Sequence, residues 1–515
     1  MKFRTTAKSR RGIFALVGVI AVASLVATAC GSDRDEDVSQ PAPTPTTEAP
    51  ATPAPEAPTT TVDSGTVDTG GGEEEPAAPA TPAETTAAPT TTAPPLPMFG
   101  NKPWPCGPGD ASGETWQGVD DDSITIGVGD DRGFQASPGL NAHQTAAVIN
   151  FIERCNELGG INGRQIEYIN YDAAILQAAN RMTEACEQVF MLVGEGFSLD
   201  QFAEPTRVGC ELGAVPAWTV SVDFAHGPWQ VNAVPNPGDQ TPMSMAVHGR
   251  QIAEDRGFDI TQSGSMFGNF SATQETWYKV EVTYPEYGYA FNQALEYDIN
   301  GEADWTPFIQ QLKDAGVEVV YFTGSCPFFY QFVRESAALN DFEAMWLTDA
   351  NFYDTACSDV NESGTLDQTF VRMVFIPFEE ADQNPATQHF IDVLDEAGND
   401  QKTLLGMQAV SSFLLWATGA AACGSDLTRD CVLDEIRKIT EWDGHGLHVT
   451  TNPGSNEAPT CGMLMELTGM GYQRALPEEP GTFDCDSNWN ASLVIQSVTD
   501  AQLDENRISQ KHLGG

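Results

Sequence analysis

The sequence predicts an α/β protein of two doubly wound lobes, carried behind an export signal and a low-complexity tether. Three observations predict it. Strand-like and helix-like runs alternate from residue 123, the alternation restarts near Met243, and the first 97 residues share neither pattern.

The N-terminus carries Lys2, Arg4, Lys8, Arg10 and Arg11, then an apolar run over 13–26 that closes on Ala27-Thr28-Ala29-Cys30-Gly31. A cationic start, a short apolar core and small residues before a cysteine describe a bacterial lipoprotein export signal over 1–29, with Cys30 as the lipidation site. The apolar run is shorter than the roughly 20 residues of a spanning helix. Residues 30–97 are Pro, Thr, Ala and Glu with almost no large apolar side chain. Such a stretch cannot bury enough surface to offset its chain entropy, so it reads as an extended, lipid-anchored tether.

The chain has 25 basic and 73 acidic residues, for a formal charge of −48. That surface repels nucleic acid, which is not expected as a partner. Ten cysteines remain after Cys30, an even count that in an exported chain argues for disulfides. Sequence neighbours suggest Cys423 with Cys431, Cys186 with Cys210, and Cys461 with Cys485. The partners of Cys106, Cys155, Cys326 and Cys357 stay open. No CxxC, HExxH or finger spacing occurs, so no metal is expected.

In the first lobe, the β-branched run 123–129 reads as a strand and 141–158 as a helix stopped by Gly159-Gly160. Strands follow at 165–171, 190–194 and 215–220, with helices at 173–189 and 202–212. In the second lobe, helices are expected at 243–256, 273–282, 304–316 and 328–338, and strands at 289–297, 317–322 and 344–347. Residues 404–422 carry no charge and read as a buried helix rather than a membrane span.

Three segments carry a family resemblance: Leu158-Gly159-Gly160-Ile161-Asn162-Gly163-Arg164 leading to a strand that ends at Asp172, Gly301-Glu302-Ala303-Asp304-Trp305, and Trp442-Asp443-Gly444-His445-Gly446. In order and spacing they resemble the type I periplasmic binding proteins, the branched-chain amino acid (Leu/Ile/Val) receptors of ABC importers and their relatives. The resemblance implies two lobes joined by three crossovers and a ligand held in the cleft between them. Mapped here, the N-terminal lobe is 98–237 plus 366–441 and the C-terminal lobe 238–365 plus 442–475, with 476–515 as an extension. It also implies a small-molecule ligand, an ABC permease as membrane partner and a monomer, while the export signal with Cys30 implies an extracytoplasmic, lipid-anchored location.

Open α/β sheets bind ligands at the carboxyl ends of their strands. That rule selects Phe134, Phe197, Ser198, Thr219, Ser221 and Asp223 from the first lobe, and Phe267, Ser325, Asp349 and Asn351 from the second. Ser198, with a helix N-terminus at Gln201, is placed to hold a carboxylate. Asp223 in the pocket would instead favour a cation or hydroxyl donor, which points to an amino acid, an amide or another small polar nitrogen compound. Catalysis has no supporting constellation: Gly196-Phe197-Ser198-Leu199-Asp200 lacks the second glycine of a nucleophile elbow, and phosphate-loop motifs and cofactor fingerprints are missing from the sequence. The remaining alternative is a ligand-sensing or adhesive surface lipoprotein of the same fold.

Overall fold

The computed structural model describes residues 97–338, 342–492, 503–504, 507–509 and 511. Contacts divide the chain into Met1–Pro89 and Thr90–Gly515, and every described residue lies in the second unit. The export signal, Cys30 and the tether up to residue 96 lie outside the described residues.

The first sheet has four parallel strands in the order β2-β1-β3-β4. In chain order these are β1 (Ser123–Asp130), α1 (Ala142–Glu157), β2 (Gln165–Asp172), α2 (Ala178–Gln188), β3 (Met191–Val193), α3 (Glu204–Gly209) and β4 (Gly213–Val215). Ile124, Ile126 and Val128 of β1 are fully buried, and α1 covers them with Val148, Phe151 and Ile152.

Three expected elements are shorter than the sequence pattern suggested. The strand expected over 215–220 ends at Val215, because Pro216 offers no N–H to continue the ladder. The helix expected from 202 starts at Glu204, where Pro205 occupies the first turn. The helix expected from 173 starts at Ala178, because Ala174 and Ile175 adopt left-handed backbone (φ 42° and 62°) in a turn after β2.

Past Met243, α4 (Ser244–Arg256) leads to β5 (Ser263–Gly268), α5 (Ser271–Thr283), β6 (Phe291–Tyr297), α6 (Thr306–Asp314), β7 (Val319–Phe322), α7 (Cys326–Ala338), β8 (Met345–Thr348) and β9 (Thr369–Met373). After α8 (Pro385–Glu396), α9 (Leu404–Cys423) and α10 (Arg429–Arg437), strands β10 (Cys461–Thr468) and β11 (Gly471–Leu476) complete a second sheet. Its main order is β11-β10-β9-β8-β7-β5-β6, parallel except where β10 meets β9 and β11.

This topology moves the expected lobe boundaries. β9 pairs with β8 and β10, so the second sheet takes residues that the 366–441 span assigned to the first lobe. Trp442 and His448 hydrogen-bond Ser411 of α9, and His448 bridges Phe375 just past β9, so this segment contacts both parts. The helix α9 packs on α1 and α10 with most of its surface buried, as a core helix. The extension returns to the body: Asp484–Cys485 pairs with β10, Asn490–Ser492 pairs with Gln240–Pro242, and the Ser509 N–H donates to the His226 carbonyl.

Five disulfides are present among the described residues. The three suggested pairs form, joined by Cys106–Cys155 and Cys326–Cys357. The Cys106 bridge seats the segment before β1 against α1, where Trp104 packs on Phe151.

The motif residues have architectural roles. Gly160 (φ 72°) has the Arg164 carbonyl where a Cβ would lie, at 1.9 Å, so only glycine fits. Buried Arg164 donates to the carbonyls of Asp120, Gly424 and Gly113, tying the turn to both flanking segments. Asp304 accepts the Thr306 N–H at 3.0 Å as α6 begins.

Candidate functional site

A cavity of about 260 Å³ opens where the carboxyl ends of both sheets face each other. Phe134, Ile175, Ser198 and Thr219 come from the loops after β1 to β4. Phe270, Ile299, Ser325 and Asp349 come from those after β5 to β8. Strand ends therefore supply the walls, as the topology requires. Most of the lining is apolar or aromatic, including Trp218, Phe328 and Val374.

Six of the ten residues expected at the site line this cavity: Phe134, Ser198, Thr219, Ser325, Asp349 and Asn351. Their polar groups are already partly engaged. Ser198 donates its hydroxyl to Asp131 Oδ2 at 2.8 Å, and its N–H donates to the same oxygen at 2.8 Å. Both donors that the expected carboxylate grip would use are thus directed at Asp131. The helix expected to add N–H groups there is a three-residue turn, Asp200–Phe202. Asp349 Oδ2 accepts the Tyr321 hydroxyl at 2.8 Å, and Asn351 donates to the Gly324 carbonyl at 2.9 Å. The Ser325 hydroxyl is buried with no partner among the described residues.

The other four lie elsewhere. Phe197 packs under Gly129 in a core with Tyr171 and Leu192. Ser221 caps the short helix Val222–Ala225, its Oγ accepting the Phe224 N–H at 3.1 Å. That helix turns Asp223 out of the cavity, where its carboxylate pairs with Lys511. Phe267 is absent from the lining and stacks on Trp277 of α5, with centroids 5.6 Å apart.

The structure adds two cations that loop reasoning missed. Lys279, two turns into α5, donates to the Pro237 carbonyl at 2.9 Å and to Asn236 Oδ1 at 3.3 Å, and its stem lines the cavity. Burial pushes its ammonium down to about 8, Glu275 pulls the other way, and Arg372 adds to the depression. The ammonium thus remains mostly charged at neutral pH. Arg372, near the end of β9, lines the same cavity, and its side chain has no hydrogen-bond partner among the described residues. Burial raises the Tyr284 and Tyr321 hydroxyls well above their usual range, so both stay neutral. The cavity thus sets two cations against one carboxylate, Asp349, in a chain of charge −48.

Residues 123–471 match a family model described as periplasmic binding protein. Among solved structures, a fatty acid ABC transporter substrate-binding protein from Thermomonospora curvata is similar at 16% identity and TM-score 0.57, covering 72% of this chain and 98% of that one. An ABC transporter solute-binding protein from R. palustris in complex with benzoate is similar at 12% identity and TM-score 0.57, covering 73% and 99%. A branched-chain amino acid transporter substrate-binding protein from Streptococcus pneumoniae, in complex with isoleucine, is similar at 12% identity and TM-score 0.55, covering 69% and 99%. No curated protein sequence matches the chain significantly.

Proposed function

The chain belongs to the periplasmic binding protein family, and from that premise we propose that it is a lipid-anchored solute receptor that captures a small carboxylate with an apolar body for an ABC importer. The observation that carries the ligand class is the pairing of Lys279 and Arg372 with an apolar and aromatic lining. An unpaired guanidinium facing a low-dielectric cavity is costly until an anion neutralises it, and its planar fork matches a carboxylate. The apolar walls then bury the rest of the ligand, each methylene contributing about 0.8 kcal/mol.

The ligands named for the similar structures, a fatty acid, benzoate and isoleucine, share that pattern of carboxylate plus apolar group. The case for a cation or amide rested on Asp223, which lies outside the cavity. An amino acid would further need an acidic partner for its ammonium, and the lining offers a single carboxylate for it, Asp349, which already accepts the Tyr321 hydroxyl on one oxygen. A net positive cavity suits a monoanion better than a zwitterion.

The anchor rests on the sequence around Cys30. A receptor in a one-membrane cell would otherwise diffuse away, and a lipid with a Pro/Thr tether raises its concentration near a permease. Two experiments test the reading. Calorimetric titration should show benzoate or a medium-chain fatty acid binding and benzamide failing to bind; benzamide or a polyamine binding as tightly as benzoate would sink the ligand assignment. Cys30→Ser should release the protein to the medium with ligand affinity intact; retention on membranes would sink the anchor.

A further inference from the structure

A second cavity, of about 280 Å³, shares no lining residue with the first. It forms where the segment after the Val222–Ala225 helix, the end of α10, the turn Pro453–Ser455 and the returning residues Arg507–Ile508 converge. Two guanidiniums reach it, Arg437 and Arg507. Their charge is only partly met: Asp239 holds Arg507 by one nitrogen, and Asp434 lies 3.9 Å from Arg437. Neither carboxylate lines the cavity.

Among its lining residues, Arg507 Nε, one of the guanidinium nitrogens already named, and two further atoms, the donor Asn232 Nδ2 and the acceptor Gln230 Oε1, are buried without a hydrogen-bond partner among the described residues. Asn232 is 2% exposed and Gln230 8%. Buried polar groups are almost always paired, so three orphans around one cavity indicate a missing partner. His226 is not part of that demand. Gly238 N–H donates to its Nε2 at 3.1 Å and its Nδ1 meets the Arg507 carbonyl at 2.8 Å, so both nitrogens are used.

We propose that this cavity is a second ligand site, for hydrogen phosphate. Two guanidiniums and an amide N–H call for an oxyanion, and the orphaned Gln230 oxygen calls for a donor on the same ligand. Hydrogen phosphate supplies acceptor oxygens and one P–OH; sulfate at neutral pH has no donor to give. The site does not depend on the importer reading, since it uses none of the residues of the interlobe cavity.

Titrating the full-length protein with inorganic phosphate and, separately, with sulfate tests it. Phosphate should bind with sulfate at least about tenfold weaker, the cost of one unmet hydrogen bond at a buried acceptor. Arg437→Gln should weaken phosphate at least about tenfold, while Arg372→Gln in the other cavity should leave it unchanged. If Arg437→Gln does not fold, Asn232→Asp serves instead, its carboxylate repelling the ion. No phosphate binding, binding equal to sulfate, or loss through Arg372→Gln but not Arg437→Gln would each overturn the proposal.

Discussion

Asp131 Oδ2 accepts both the N–H and the hydroxyl of Ser198 at 2.8 Å, while its Oδ1 accepts the Ile175 N–H at 2.8 Å. One carboxylate thus joins the loops after β1, β2 and β3. Ile175 holds a left-handed φ of 62°, rare for a β-branched residue and worth about 1–3 kcal/mol of strain. Asp131 stabilises that turn, and so shapes the cavity wall without having to touch a ligand. Asp131→Ala strands the donors and should cost roughly 3 kcal/mol. Asp131→Asn, which keeps one acceptor, should cost less. Urea denaturation measures both; a loss under about 1 kcal/mol for Asp131→Ala would show that the hub does not matter.

Stability should fall as pH rises from 6.5 to 8. Burial raises Glu195 from 4.5 to about 8 and Glu275 from 4.5 to about 7. Each binds its proton more tightly in the folded chain, so folding favours the protonated form and weakens as pH approaches the folded value. Glu204, raised by burial to about 7, adds to the loss. His445 and His448, held down at about 4 in the folded chain while unfolded imidazoles still carry protons near pH 6.5, and Lys279, lowered to about 8, gain stability over the same window and offset part of it. The slope approaches 1.4 kcal/mol per unit for each group still protonated, giving a net loss of about 1–2 kcal/mol over the window. Glu195→Gln should flatten the dependence and raise stability at pH 8, because both Glu195 oxygens lack partners among the described residues. Urea midpoints that do not move between pH 6.5 and 8 would contradict this.

Much of the fold was legible because its signals are local. The run around Ile124, Ile126 and Val128 can only be a buried strand, and Gly160 marks its turn by a carbonyl no Cβ could tolerate. Ser263–Gly268 was not legible, since small and polar residues in a fully sandwiched strand show no alternation. The site was half legible for a related reason. Strand-end loops follow from topology, which found Phe134, Thr219 and Asp349. Lys279 sits inside a helix and Arg372 inside a strand that was not read. Arg372 did leave a trace: a lone arginine in the run Phe370-Val371-Arg372-Met373-Val374-Phe375-Ile376, within a chain that has few basic residues. Asp223 misled because a four-residue helix rotates it away, a turn no pattern in the loop announces.

Gly324→Ala should damage the cavity from its second wall. Gly324 has φ 149°, and a Cβ there would lie 2.0 Å from the Tyr297 hydroxyl. That hydroxyl donates to the Thr323 carbonyl at 2.6 Å from a ring that is 1% exposed, so it has little room to move. The substitution should cost about 2–3 kcal/mol through overpacking and lower ligand affinity at the same time. Unchanged melting temperature and affinity would show that the wall yields.

Reduction should loosen the ligand cavity through one disulfide in particular. Cys326 follows Ser325 directly and opens α7, while Cys357 belongs to the short helix Thr355–Asp359 beyond Asn351. The bridge therefore ties together two loops that both line the cavity. It closes 31 residues, and loop-closure entropy of that length contributes about 3–4 kcal/mol against the unfolded chain. Cys423–Cys431 closes only 8 residues at the far end of α9, away from the lining. Cys326→Ser with Cys357→Ser should thus lower both stability and ligand affinity, whereas the Cys423/Cys431 pair should lower stability less and leave affinity intact. Equal loss of affinity in the two double variants, read by calorimetry under native conditions, would mean that the bridges act only through global stability.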